Sequence, residues 1–466
     1  MNKYWLLTLL CLSLQAHAGN GPNILIMLSD DLTWSDIGAY GADHVATPEI
    51  DALAAQGMRF THAFTATAMC APTRQQLYSG LFPVKSGAFP NHGVVNPGTT
   101  SMVQALRALG YRVGLSGKTH FGPMAAFPFE IVGNRPAADG GPNDVDMTAA
   151  KEFMTRDQDQ PFALVLAFNE SHEPWTQGDA GKFDPDTLHV PPYLADTPET
   201  RSTLAAYYAE IEYLDQQIGE LTRFLDESGL DDNTLVLFTS EQGGAFPFAK
   251  WSLYDAGIRT AFIVRWPDLV PAGTTSDALV QYVDVVPTLI DAANGTPANH
   301  LDGRSFMPVL SQAKQTHREV VFGVHTNRGI IKGNNYPIRA IRDQRFKLIW
   351  NLAHENTYAN IRTEVVGRDA GFRSWQSSLK PSVRNRAEQY LKRPEFEFYD
   401  LDNDPYELNN LAQDPQFASI HAELLSQLKK WMQDQGDQGL ATEMQAFEHM
   451  DERIVERIRQ VFGTSP

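Results

Sequence analysis

Cysteine is nearly absent from this chain. Its 466 residues include two, Cys11 and Cys70, so a disulfide framework is excluded. Positive charge is also scarce, with 38 Lys and Arg against 56 Asp and Glu, for a formal net charge of −18. Nucleic-acid binding needs a broad basic face, so it is not expected. Local clusters of Lys, Arg and His can still hold a small anion, because a site's potential is set locally. Past the N-terminus no apolar run approaches the roughly 20 residues of a membrane-crossing helix. Short repeats and low-complexity tracts are missing as well.

The N-terminus has the texture of a secretion signal. Lys3 precedes an apolar run at 4–14, and Ala16-His17-Ala18 supplies the small-x-small pattern before cleavage. Residues 1–18 are therefore read as a signal peptide cleaved before Gly19. Cys11 would leave with it, and Leu10 before it is too large for a lipid-anchoring motif. The mature protein is expected to be exported, to the periplasm or medium, or to a lysosome-type compartment in a eukaryote. Cys70 is then a lone thiol in an oxidising compartment. Such a thiol is a liability unless it is buried or chemically altered.

Short β-rich apolar runs at 23–29, 111–115, 162–168, 234–239 and 262–265 alternate with helical patterns at 49–56, 102–109 and 202–225. This alternation predicts an α/β fold, a mainly parallel sheet flanked by helices. After about Gly333 the texture changes. A hairpin is expected from 338–341 and 346–350, then an irregular polar stretch to Leu391, a short strand at 397–399, a helix at 417–433 and a last surface helix at 444–462. The predicted division is a catalytic domain at 19–333 and a smaller C-terminal α+β domain with an antiparallel sheet at 334–466.

Polar residues collect where the predicted strands end. Asp30-Asp31 follows the first, Lys118 and His120 the second, Asn169, His172 and Glu173 the third, and Glu241-Gln242-Gly243-Gly244 the fourth. Ligands of open α/β sheets bind beyond the carboxyl ends of the strands. Asp30, Asp31, Glu241 and the Gln242 oxygen form a hard donor set suited to calcium or magnesium. Lys118, His120, His172 and Lys250 could bind an anion and move protons. Each feature alone has a plainer reading: a helix cap for Asp-Asp, a surface charge for either lysine, a turn for Gly-Gly. Their joint placement favours one site.

Cys70-Ala71-Pro72-Thr73-Arg74, continued by Leu77-Tyr78-Ser79-Gly80, resembles the signature of the formylglycine-dependent sulfatases, C-x-P-x-R followed by L-x-[TS]-G. Gly117-Lys118-Thr119-His120-Phe121-Gly122 is similar to that family's G-K-x-H-x-G element, and Phe398-Tyr399-Asp400-Leu401 with Asp404-Pro405 to its C-terminal signature. Gly243-Gly244-Ala245-Phe246-Pro247 through Lys250 resembles the heparan N-sulfatase (sulfamidase) subgroup. The resemblance implies an alkaline-phosphatase-like core. It implies that a formylglycine-generating enzyme converts Cys70 to 3-oxoalanine (Cα-formylglycine). It further implies a cation, usually calcium, held by Asp30, Asp31, Glu241, Gln242 and residue 70. Arg74 and Lys118 would orient the hydrated aldehyde, His120 would act on its hydroxyl, and His172 and Lys250 would contact the sulfate and the leaving oxygen. The implied reaction is hydrolysis of a sulfate ester or N-sulfate of a sulfated polysaccharide or oligosaccharide.

Two positions depart from the family pattern. Its second metal pair is Asp followed by Asn or His, whereas Glu241-Gln242 is one methylene longer at each side chain, so the pocket must recede or the coordination differ. Thr73 stands where Ser or Ala is commoner. For the substrate rim the candidates are Trp175, His92, His325 and Arg328, since an aromatic ring beside cations suits an anionic sugar. Competing readings are a phosphoester or phosphonate hydrolase with the same nucleophile, and a non-catalytic sulfated-glycan binding protein that keeps Cys70 as cysteine.

Overall fold

The computed structural model of the protein describes residues 21–134, 145–365 and 367–462. The secretion segment read at 1–18, with Cys11, lies outside them. An eight-stranded sheet forms the centre, in the order Thr274–Ser276, Met58–Phe60, Phe262–Arg265, Thr234–Ser240, Asn23–Ser29, Phe162–Ala167, Arg112–Gly117, Glu130–Ile131. The pairings from Thr234–Ser240 through Glu130–Ile131 are all parallel, while Phe262–Arg265 runs antiparallel to both its neighbours. The central strands are continuous apolar runs because both faces are covered. Leu25 and Met27 enter one hydrophobic cluster, and Ile24, Ile26 and Leu28 enter the other.

The helix expected at 202–225 is longer, Pro198–Glu227. Pro198 opens it, since a proline costs no helix hydrogen bond in the first turn, and the Thr197 side chain accepts from the Thr200 N–H. A second sheet, antiparallel and four-stranded, joins Val321–His325, Ile338–Arg342, Phe346–Asn351 and Phe396–Asp400. Ala418–Gln435 packs on it through Leu424, Leu428, Trp431 and Met432.

Two expectations fail here. The stretch before Leu391 is not irregular: it carries helices Ile361–Glu364, Phe372–Ser377 and Pro381–Leu391. These bury Phe372, Trp375, Val383, Ala387 and Tyr390. The helix read at 444–462 is broken into Leu440–Met444, a short 3₁₀ turn at Ala446–His449 and Glu452–Phe462. Asp451 supplies the break, because its carboxylate accepts from the Arg453 N–H at 2.9 Å, an alternative to continuing the helix.

Candidate active site

Strand register builds the site. Gly117 pairs with Ala167, Ala167 with Leu28 and Leu28 with Thr239, so four parallel strands reach the same edge together. The residues that follow are held by backbone bonds in step. Lys118 N–H donates to Ala167 O at 2.9 Å, Glu241 N–H to Ser29 O at 2.9 Å and Asp30 N–H to Glu170 O at 2.8 Å. Asp30, Asp31, Lys118 and Glu241 thereby meet in one place.

Residue 70 is the first residue of Cys70–Ser79, a helix buried along its whole length. Its position at the positive end of the helix favours a negative group there. Thr73 is fitted by a hydrogen bond of its hydroxyl to Thr67 O at 2.7 Å. Arg74, one turn on, lies on the same face as Cys70. It ion-pairs with Glu241, lies 3.5 Å from Asp30 and donates to Lys118 O at 2.9 Å. Lys118 pairs with Asp30, and Lys250 Nζ lies 2.6 Å from Asp31 Oδ2. Three buried carboxylates are thus matched by three buried cations.

Asp30, Asp31, Cys70 and Glu241 each offer one ligand atom, all within 4.8 Å of one another. Gln242 Nε2 reaches the same ring, 2.7 Å from Asp31 Oδ1, 3.0 Å from Glu241 Oε2 and 3.4 Å from Cys70 Sγ. The extra methylenes of Glu241 and Gln242 therefore still let both side chains converge. Gln242 Oε1 is buried with no hydrogen-bond partner. Turning the amide over exchanges its oxygen and nitrogen, which would present that oxygen to the ring. The residues fit a hard divalent cation on donor type and on this orphaned atom.

The electrostatics agree. Burial would raise the Asp30 carboxyl, but Lys118, His172 and Arg74 hold it well below the usual range. Burial and Asp30 push Glu241 up to about 8 against the pull of Arg74, so this cluster of acids gains from more positive charge. Burial, Asp30 and Glu241 push the Cys70 thiol far above its ordinary value. An unmodified Cys70 is consequently a protonated thiol and a poor nucleophile.

His120 and His172 are both held neutral at pH 7. Burial, His92 and Lys118 depress His120 strongly. Burial, Lys250 and Lys118 lower His172 to about 4. His172 Nδ1 lies 2.6 Å from Glu173 O. A carbonyl only accepts, so Nδ1 carries the proton and Nε2 faces Asp31 Oδ2 at 3.7 Å.

The rim candidates separate. His92 Nδ1 meets His120 Nε2 at 2.8 Å, beside the site. Trp175 stacks on Phe246 with centroids 5.5 Å apart, and its exposed part lines a cleft of about 460 Å³ with Glu173, Glu199, Asp369 and Arg373. Arg328 is half-buried on Phe447, 4.4 Å from that ring. His325 is no rim residue: it is 0 % exposed at the end of the Val321–His325 strand, facing Tyr358. Sequence reading missed Arg362 and Arg368, whose Nη1 atoms each lie 3.0 Å from a Glu173 oxygen. No motif or spacing marks these arginines; only tertiary contact does.

The fold is alkaline-phosphatase-like, and the edge of its parallel sheet carries a buried cluster of carboxylates, cations and imidazoles. A model of the sulfatase family matches residues 22–296, and a model of the C-terminal region of N-sulphoglucosamine sulphohydrolase matches residues 243–363. The chain belongs to the sulfatase family, the sulfuric ester hydrolases. An ulvan-active sulfatase of Formosa agariphila is 32% identical to it, over 89% of this chain and 81% of that protein. Human N-sulphoglucosamine sulphohydrolase is 29% identical, over 89% of this chain and 90% of that one. A protein solved with its substrate D-glucosamine-2-N,6-O-disulfate superposes with a TM-score of 0.70 at 20% identity, covering 90% of this chain and 99% of that one, a likeness of fold. Among the described residues no helix is long and apolar enough to cross a membrane.

Proposed function

We propose that this sulfatase removes sulfate from a sulfated polysaccharide or oligosaccharide, as an O-ester or N-sulfate, in the periplasm or outside the cell. Cys70, converted to formylglycine by a formylglycine-generating enzyme, would be its nucleophilic residue. Asp30, Asp31, Glu241, Gln242 and residue 70 would hold calcium, with magnesium the alternative. Hydrated formylglycine would supply two hydroxyls on one carbon, and the cation positive charge beside them. The observation that carries the reading is Cys70 Sγ, 3.7 Å from Asp30 Oδ1 inside a ring of three carboxylates and three cations.

The chain's own groups then divide the work. Arg74 and Lys118 keep Asp30 ionised and hold Asp30 and Glu241 aimed at residue 70, and Glu241 would lose its proton on binding the cation. Lys118 and Lys250 would also offset charge on the sulfuryl oxygens, where fixed cations in a dry site act most strongly. His120, neutral and paired with His92, would accept a proton from the residue-70 side. Lys250 Nζ, which carries protons, would give one to the leaving oxygen or nitrogen, and His172 Nε2, which carries none, would accept a hydrogen bond from the departing hydroxyl or amine. Trp175 and its cleft would receive the glycan beyond the sulfate. A family resemblance in the names of the relatives, ulvan and glucosamine N-sulfate, supports a glycan substrate.

The test is chemical and kinetic together. Peptide mapping of protein made with the modifying enzyme is expected to show residue 70 as aldehyde or hydrate. Cys70→Ser is expected to lose turnover, since a single hydroxyl offers no route to release the sulfate. Full turnover in Cys70→Ser would falsify the proposal.

A further inference from the structure

Two loops carry the groups assigned to the leaving side: residues 169–175 with His172, and residues 242–251 with Lys250. Both are gripped by four residues of the C-terminal part, Tyr358, Asn360, Arg362 and Arg368. Arg362 has a side chain only 3% exposed; its Nη1 lies 3.0 Å from Glu173 Oε2, and Arg368 Nη1 takes Glu173 Oε1 at 3.0 Å. The Arg362 guanidinium carbon also sits 5.5 Å from the centre of the Trp251 ring, and Lys250 Nζ sits 5.6 Å from that same ring. Tyr358 adds a tie by donating to Trp251 O at 2.7 Å, and Asn360 Nδ2 donates to the Tyr358 hydroxyl at 2.8 Å.

Glu173 and Trp251 are the immediate chain neighbours of His172 and Lys250. The Glu173 carbonyl receives the His172 Nδ1 proton, so the direction of His172 Nε2 follows the orientation of residue 173. We infer that Arg362 is a positioning residue: by bridging the Glu173 carboxylate and the Trp251 ring, it aims His172 Nε2 and Lys250 Nζ at the leaving group. A planar guanidinium suits this task because it can bond a carboxylate at its edge while its face rests on an aromatic ring. Lysine could meet the first demand and not the second. A charge pair this buried adds little to stability over an apolar pair, whereas it holds one geometry. The inference rests on the sulfatase reading above.

A structural role and a positioning role differ in leaving-group dependence. A sugar alkoxide or amine needs a proton to depart; 4-nitrophenolate does not. Wild type, Arg362→Gln, Arg362→Lys and Arg368→Gln are to be assayed on 4-nitrophenyl sulfate and on ulvan oligosaccharides and glucosamine N-sulfate. Arg362→Gln is expected to lower kcat on the glycan that wild type cleaves by roughly 10–100-fold, the usual loss when a supporting partner is removed. Its kcat on the nitrophenyl ester is expected to fall by a much smaller factor, since there only the Lys250 charge on the sulfuryl oxygens is disturbed, with KM little changed on either. Arg362→Lys should fall between, and Arg368→Gln, at a half-exposed side chain that holds the other Glu173 oxygen, should repeat the pattern in weaker form if Arg362→Gln does not fold. Equal losses on both esters, or none on either, overturn the positioning role. If wild type hydrolyses no sulfate at all, it is the sulfatase reading that fails first.

Discussion

The Cys70 thiol is buried among charged side chains that hold it protonated. Asp30, Asp31 and Glu241 each face a cation, so the divalent ion proposed here would keep charge to spare for an anionic substrate. Calcium titration is expected to raise the Tm, and Glu241→Ala to abolish that rise; a cation at 100 times its Kd stabilises by about 2.7 kcal/mol. A flat Tm in wild type, read by differential scanning fluorimetry, would count against the cation site. His325 makes a separate residue-scale prediction. Burial, with Arg393, lowers its imidazole to about 3, below the ordinary 6.5. Between those values the unfolded chain binds a proton that the folded chain refuses, so stability falls as pH drops from 6.5 towards 3 and this contribution is absent above 6.5. His325→Phe should flatten that part of the pH dependence by on the order of 1–3 kcal/mol, measured by denaturant unfolding at pH 7 and pH 4.

At the scale of elements, the site depends on strands ending in step. Gly117 closes the Arg112–Gly117 strand with φ at +94°, and a Cβ there would stand 2.1 Å from Ala167 O. Gly117→Ala is expected to push Lys118 and His120 away from Asp30. It should cost about 1–3 kcal/mol and most of the turnover, checked by unfolding and by kcat. The central strands were legible because burial on both faces demands unbroken apolar runs. The helix Pro381–Leu391 was also legible in principle, since Val383, Ala387 and Tyr390 recur at helical spacing and are buried. The signal was lost among its many charged neighbours. Ile361–Glu364 and Phe372–Ser377 are too short to show a period, and they exist because tertiary contacts support them.

The molecule as a whole joins its central sheet to its C-terminal sheet by an apolar cluster and a buried charge network. Leu25 and Met27 of the central sheet share one cluster with Ile338, Ala340 and Ile349 of the C-terminal sheet. Asp255 meets Arg342 at 2.5 Å and Lys347 at 2.9 Å, and Lys347 meets Glu407 at 2.8 Å. Asp255→Ala should destabilise by about 3–5 kcal/mol, because it strands buried cations, and chemical denaturation would measure it. A loss below about 1 kcal/mol would show that the network relaxes around the change. What the sequence determined by itself is the local chemistry. The Cys70 to Arg74 motif, the Asp30-Asp31 and Glu241-Gln242 pairs and the apolar strands are linear features, readable because their causes lie within a few residues. What only the tertiary structure decided is convergence and support. Which histidine is buried and which borders the site, how far the longer arms of Glu241 and Gln242 reach, and which distant arginine holds Glu173 all depend on contacts between separate segments, from 28 residues apart for His92 and His120 to 211 for Asp31 and Gln242. Hydrophobic burial and strand register set those contacts, and neither leaves a local mark on the chain.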